Sequence, residues 1–214
     1  SEVRVEKREH GYALTGTPTD CVVAGLEAIG PYPDLVVSGC NNGVNLGAYV
    51  LGRSGTVSAA VEAAFFGVPA IAVSMFVPFD EWPPDPEPEV YENAVRATTY
   101  LAEHALERGV FEEADYLNVN APQFDGTPAP MSFTRPSHTY DMDATQEANG
   151  TISLHDRIFE HMADGSVDEP PATDRRAILD GEISVSPLTA PHTTEQADAL
   201  EAMVEAYSAD VPAR

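Results

Sequence analysis

Lysine is almost absent from this chain, and basic residues in general are scarce. Lys7 is the only lysine, and 11 basic residues against 35 acidic ones give the 214 residues a net charge of −24. Because there is no basic patch, a nucleic-acid-binding surface is excluded. Many carboxylates, arginine in place of lysine and few ammonium groups indicate adaptation to high salt. We therefore expect a cytoplasmic protein from a halophile; an acidic surface for a basic partner is the alternative.

Cysteines and uninterrupted apolar runs are also few. Cys21 and Cys40 have no CxxC spacing, so we expect two buried free thiols. The apolar region 57–79 contains Glu62 and a Gly-Val-Pro break, which argues against a membrane-spanning helix. Residues 1–10 contain many charged side chains and no apolar run, so they lack a signal-peptide pattern. Neither secretion nor membrane insertion is therefore expected.

Apolar periodicity predicts that strands alternate with helices. The pattern gives a hairpin and a short helix, then a strand–helix–strand unit, at residues 3–14, 21–29, 35–37, 54–66 and 70–75. Further along it predicts a helix, two strands and a last amphipathic helix, at residues 90–108, 116–120, 182–186 and 193–208. Since helical crossovers join parallel strands, this order predicts an α/β fold with a mostly parallel sheet covered by helices.

Residues 121–171 follow a different pattern. Short β-like pieces at 131–133 and 151–154 are separated by polar residues. We expect an extended, β-rich arm here, within a single domain that spans residues 1–214.

Three asparagines follow the first strand of the strand–helix–strand unit. Asn41, Asn42 and Asn45 lie in the glycine-rich segment 38–47. Their amide oxygens suit a hard cation such as Mg²⁺ or Mn²⁺, and their NH₂ groups suit phosphate. Amides alone hold such metals weakly, so a carboxylate from a neighbouring strand end would be needed. A turn that satisfies its own backbone is the alternative.

Ser54, Gly55 and Thr56 begin the helix of the same unit. The unpaired N–H groups of a helix N-terminus favour an anion, so this position is a candidate phosphate site. An ordinary N-cap is the alternative. Neither GxxxxGK[ST] nor GxGxxG is present, so neither a P-loop nor a dinucleotide fingerprint explains the glycines.

Three motifs in this order resemble the survival protein SurE family. They are GTPTDCV at 16–22, PDLVVSGCNNGVNLG at 33–47, and SGTV at 54–57 followed by PAIAVS at 69–74. Members of that family are metal-dependent acid phosphatases of the 5′/3′-nucleotidase type. The resemblance implies a Rossmann-like three-layer sandwich, with a β-rich arm used to assemble a homodimer or homotetramer.

The resemblance also implies residue roles. Asn41 matches a metal-ligating asparagine, and Ser54, Gly55 and Thr56 match the loop that receives the substrate phosphate. Asn45 lines the same pocket. The implied cofactor is a divalent metal ion, Mg²⁺ or Mn²⁺.

The metal-anchoring aspartates of the family have no counterpart in this chain. The family's first strand ends in an Asn-Asp-Asp motif, which residues 1–214 lack. We therefore expect an apolar strand followed by two adjacent aspartates upstream of Ser1.

Several other polar residues are given structural interpretations. Asp20 is expected to cap the helix that follows it, although a ligand role is the alternative. A second metal site formed by His138, Asp141 and Asp143 is less favoured than a solvated loop. Asp174 resembles an acidic position before the last core strand of the family, and we assign it no role.

The predicted function is hydrolysis of nucleoside 5′- or 3′-monophosphates to nucleoside and phosphate. One alternative is a non-catalytic relative that binds nucleotides but lacks the metal-anchoring aspartates. Another is a phosphatase with broad ester specificity or an exopolyphosphatase. The residue that would activate water is not assigned.

Overall fold

The computed structural model of this chain describes residues 2–77, 86–190 and 203–204. Its strands are β1 (Val5–Arg8), β2 (Gly11–Leu14), β3 (Val36–Asn42), β4 (Ala70–Met75), β5 (Tyr116–Ala121), β6 (Met131–Phe133), β7 (Met142–Gln146), β8 (Ile152–Asp156) and β9 (Ile183–Leu188). The central sheet has the strand order β3-β4-β5-β9-β6. Only the β5–β9 pair is antiparallel in this sheet. The predicted α/β fold with a mostly parallel sheet is confirmed.

Helices cover both faces of the central sheet. The α-helices of the described residues are α1 (Pro18–Ala24), α2 (Ala48–Leu51), α3 (Gly55–Phe65), α4 (Glu92–His104), α5 (Arg157–Asp164) and α6 (Asp174–Leu179), of which α3 and α4 cover opposite faces. On one face, Val57 and Ala60 of α3 pack against Ala72. On the other face, Ala94 of α4 packs in a cluster with Val119. The predicted three layers are therefore present.

The strand β4 shows why the sheet forms where it does. All six of its residues, Ala70–Met75, are buried. Strands of a parallel sheet that are covered on both faces are typically continuous apolar runs of this kind. The residue register pairs Ala70 with Val36 of β3 and with Tyr116 of β5.

The helix α1 begins with a reciprocal cap. The Thr17 backbone N–H donates to Asp20 Oδ2 over 2.8 Å, and the Asp20 N–H donates to Thr17 Oγ1 over 3.2 Å. These bonds satisfy two amides that would otherwise be unpaired at the helix start. Asp20 thus helps to cap the helix as predicted, but from the third position inside α1, and Thr17 is the N-cap residue.

The range 121–171 contains more than an arm. β7 and β8 form an antiparallel hairpin, on which Ile152 and Leu154 are 65% and 72% exposed. By contrast, β6 pairs with β9 in the central sheet. After the hairpin, α5 buries Ile158 in a cluster with Leu46. The use of the hairpin in oligomer assembly stays a prediction.

The prediction of two buried thiols is wrong. Cys21 and Cys40 are both exposed. Cys40 lies on β3, and Cys21 lies on α1. The predicted helix 193–208 falls outside the described residues except at 203–204. Within those residues, no helix combines the length and apolar character needed to cross a bilayer.

Candidate functional site

The asparagine-rich segment lies at the carboxyl edge of the central sheet. β3 ends at Asn42, and the backbone N–H of Gly43 still donates to the Met75 carbonyl over 3.1 Å. α3 connects the parallel strands β3 and β4, so it runs back along the sheet and begins at this same edge. Ligands of open α/β sheets bind at such carboxyl ends. The edge therefore brings the asparagine segment and the start of α3 together.

Asn45 is held at this edge by hydrogen bonds to buried side chains of β4 and β5. It is 5% exposed, and its side-chain NH₂ donates to Ser74 Oγ over 2.8 Å. Its backbone N–H donates to Asn120 Oδ1 over 2.8 Å. Its carbonyl accepts from Asn118 Nδ2 at 2.9 Å and from Asn120 Nδ2 at 3.2 Å. These bonds give Asn45 a structural role, and its predicted place in a substrate pocket stays a prediction.

Asn118 and Asn120 are site residues that the sequence analysis did not single out. Both are fully buried on β5. They are two positions apart, so they lie on the same face of the strand. Two asparagines with period two in a buried apolar strand are a signal that could have identified them, because buried amides need partners.

Asn41 and Asn42 offer amide oxygens at the end of β3. Asn41 donates its Nδ2 to the Gly43 carbonyl over 2.6 Å, and no hydrogen bond to its Oδ1 is found among the described residues. Asn42 Oδ1 is buried and has no hydrogen-bond partner there either. Since amide oxygens are hard ligands, both are suited to a cation such as Mg²⁺ or Mn²⁺.

The described residues supply only part of a metal site. Across 2–77, 86–190 and 203–204, no group of three His, Cys, Asp or Glu side chains is placed to hold an ion. Amide oxygens without a carboxylate bind such cations weakly. In the hairpin region Asp141 pairs with His161, and Asp143 pairs with Arg157. The residues present therefore do not make a complete metal site by themselves.

The start of α3 has two amides free for an anion. Ser54 Oγ accepts from the Val57 N–H at 3.1 Å, and the Ser54 carbonyl accepts from the Ser58 N–H at 2.9 Å. Ser54 is thus the N-cap of α3, which is the alternative to a phosphate site that the sequence analysis gives for this position. Gly55 is exposed and Thr56 is half-buried, and neither N–H has an acceptor within the described part of the chain. Free N–H groups of this kind are what a phosphate would use.

Gly47, at the far end of the asparagine-rich segment 38–47, contacts two buried charged residues, Asp174 and Arg175. Its N–H donates to Asp174 Oδ2 over 2.7 Å, and a Cβ added to it would overlap Nη2 of Arg175. Arg175 in turn forms a buried ion pair with Glu169 at 3.0 Å. Burial raises the pKa of the Asp174 carboxyl, and its hydrogen bonds from backbone N–H groups act in the opposite direction.

A cavity of about 1240 Å³ lies beside the segment that links Asn45 to α3. Its walls include Tyr49, Tyr116, Arg135 and His138. The residues Asn41, Asn45, Ser54, Gly55 and Thr56 are not part of its described lining. The predicted phosphate and metal ligands therefore lie outside this cavity.

Comparison with known proteins decides the family. The sequence profile described as Survival protein SurE matches residues 1–143 of this chain. The chain belongs to the SurE family. The solved structure titled as the SurE protein from Aquifex aeolicus matches with a TM-score of 0.75 and 28% identity, covering 96% of this chain and 80% of that one. The family resemblance stated from the motifs is confirmed.

Haloarchaeal SurE proteins are much more similar in sequence. The protein named 5′-nucleotidase SurE from Haloarcula marismortui is 60% identical over 213 residues, which are 98% of this chain and 79% of the relative. The protein of the same name from Halobacterium salinarum is 60% identical over 207 residues, 96% of this chain and 80% of the relative. Relatives from salt-loving organisms fit the acidic, lysine-poor composition.

The Asn45 anchor leads to a prediction for this SurE chain. Asn120→Ala leaves the buried Asn45 N–H without its acceptor, so the free energy of unfolding should fall by about 1–3 kcal/mol. Denaturant unfolding at a fixed high KCl concentration measures this change. Asn149→Ala is the control, since Asn149 is exposed and bonds only Thr151 in its own turn. Equal losses in the two variants would contradict a buried anchor.

Proposed function

We propose that this SurE protein is a phosphomonoesterase that hydrolyses nucleoside 5′- and 3′-monophosphates. The observation that carries the proposal is the pair of acceptor-free N–H groups, on Gly55 and Thr56, at the sheet edge where Asn41 ends β3. Relatives that are 60% identical carry the name 5′-nucleotidase, which supports the same substrate class.

The start of α3 would bind the phosphate. In hydrolysis, water attacks the phosphorus, the ester P–O bond breaks, and the nucleoside leaves with a proton. Negative charge on the phosphoryl oxygens is stabilised by donors that are fixed before the reaction. The N–H groups of Gly55 and Thr56 are such donors, and the Ser54 cap keeps their helix turn in place. The Thr56 hydroxyl is a further donor at the same position.

A divalent cation, Mg²⁺ or Mn²⁺, is proposed as cofactor. The amide oxygens of Asn41 and Asn42 support it, and such a cation would also need carboxylate ligands beside them. We further propose a homodimer or homotetramer in the cytoplasm of a halophile.

The two alternatives are less well supported. A non-catalytic relative and a broad phosphatase or exopolyphosphatase would each share the fold, but the haloarchaeal relatives are named as 5′-nucleotidases. Fold by itself would not separate these functions. A substrate panel does so directly.

The test is phosphate release by the full natural protein at molar KCl with Mg²⁺ or Mn²⁺. The panel contains 5′-AMP, 3′-AMP, p-nitrophenyl phosphate and polyphosphate. We expect turnover of both AMP isomers and its loss when EDTA is added. Binding of 5′-AMP without phosphate release, with either metal, would show the non-catalytic relative. Preference for polyphosphate or p-nitrophenyl phosphate would show the broader enzyme.

A proline substitution isolates one N–H of the phosphate site. Gly55 is the first residue of α3, where proline is tolerated, and Ser54 before it is already extended at φ −82° and ψ 126°. Gly55→Pro therefore removes one donor while the helix is kept. Loss of one hydrogen bond to a charged group, about 1.5–3 kcal/mol, should lower kcat/KM for 5′-AMP by about 10- to 150-fold.

Gly55→Ala is the matched control. A Cβ at position 55 would lie 3.2 Å from Pro18 Cγ, so both variants place this carbon against α1, but alanine keeps the N–H. The difference between the two kcat/KM values removes the shared effect of the Cβ and reports chiefly on the N–H. If proline and alanine give the same value, phosphate does not bind this amide.

A further inference from the structure

Asp174 is a buried carboxylate that joins three separate parts of the chain. Its Oδ2 accepts from the Gly47 N–H at 2.7 Å. Its Oδ1 accepts from the Ser137 N–H at 2.9 Å and from the Arg175 N–H at 2.8 Å. Its exposed fraction is 0%. The Asp174 carboxylate is therefore shielded from water, and each hydrogen bond described for it comes from a backbone N–H.

The environment of Asp174 fits a fixed carboxylate. Arg175, the next residue along α6, is also fully buried, and its Nη1 donates to Glu169, to Ser137 Oγ and to the Thr139 carbonyl. These bonds hold the segment after β6 against α6. Buried groups in one such network restrict one another, so the position of Asp174 is well defined.

Gly47 connects this network to the candidate phosphate site. It lies two residues after Asn45, which is bonded to β4 and β5, and seven residues before Ser54, which caps α3. Its φ of +84° belongs to the left-handed region that glycine adopts most readily. The segment 45–54 is therefore held at Asn45 by the sheet, at Gly47 by Asp174 and at Ser54 by α3.

We propose that Asp174 is a positioning residue for the phosphate site, acting through the Gly47 N–H. It sets where the segment between Asn45 and Ser54 lies, and so where the free N–H groups of Gly55 and Thr56 are presented. It does not touch the substrate. This inference rests on the proposed function, because it assigns a role within that same site.

The test is Asp174→Asn, which keeps the size of the side chain. The single oxygen of asparagine can keep the bonds from Ser137 and Arg175, and its NH₂ then meets the Gly47 N–H, donor against donor. A displaced catalytic segment costs up to about 100-fold in rate, so kcat for 5′-AMP should fall by about 10- to 100-fold. Asp180→Asn is the control, because Asp180 ends the same helix, is half-exposed and bonds only Arg176.

Amide hydrogen exchange separates positioning from general destabilisation. In Asp174→Asn, the Gly47 amide should exchange about tenfold faster or more, while the amides of β4 keep their rates. An unchanged kcat, or equal acceleration at Gly47 and throughout β4, overturns the proposal. If the variant does not fold, the wild-type protein decides: exchange of Gly47 much faster than that of β4 overturns the proposal, and equally slow exchange supports it.

The two arms of the test also separate this inference from the proposed function. If the wild-type protein releases no phosphate from 5′-AMP, the proposed function fails. Exchange at Gly47 still reports whether Asp174 holds the segment, since that measurement needs no substrate. If the wild type is active but Asp180→Asn and Asp174→Asn behave alike, only the positioning role fails.

Discussion

The hydrogen bonds between Asn45 and the buried polar face of β4 and β5 are the constraint on which the candidate site depends. Asn45 uses its N–H, its carbonyl and its side-chain NH₂, all with partners inside the sheet. Each partner is buried, so water cannot replace it, and a group left unpaired would cost about 1–3 kcal/mol. The segment that follows β3 therefore has one favourable position at the carboxyl edge of the sheet.

That constraint explains why an irregular, glycine-rich segment can serve as a defined site. Between Asn45 and α3, the chain is held again at Gly47 by Asp174, and the Tyr49 hydroxyl donates to Asp156 at the start of α5. Three separate elements thus fix the approach to Ser54. Donors that are held in place before substrate arrives stabilise developing charge without reorganisation, which is the property a phosphatase needs.

Local pattern predicted the fold better than it predicted the site. The continuous apolar run of β4 and the short strand β6 were predicted with the bounds that the structure has, because each has a local signal. The hydrogen bond from the Gly47 N–H to Asp174 joins residues that are 127 positions apart, so no local sequence pattern predicts it. The Asn45 side chain has the amide chemistry expected of a ligand, but the hydrogen-bond partners of Asn45 lie on β4 and β5. The helices α5 and α6 have only eight and six residues, and both were missed within and beside the predicted arm.

The central proposal is that phosphate binds at the start of α3. The most direct measurement is a backbone amide NMR titration of the protein at high KCl with inorganic phosphate. We predict that the largest shifts occur at the Gly55 and Thr56 amides, which have no acceptor among the described residues. Shifts confined to the residues around the 1240 Å³ cavity, such as Arg135 and His138, with none at Gly55 or Thr56, would contradict it.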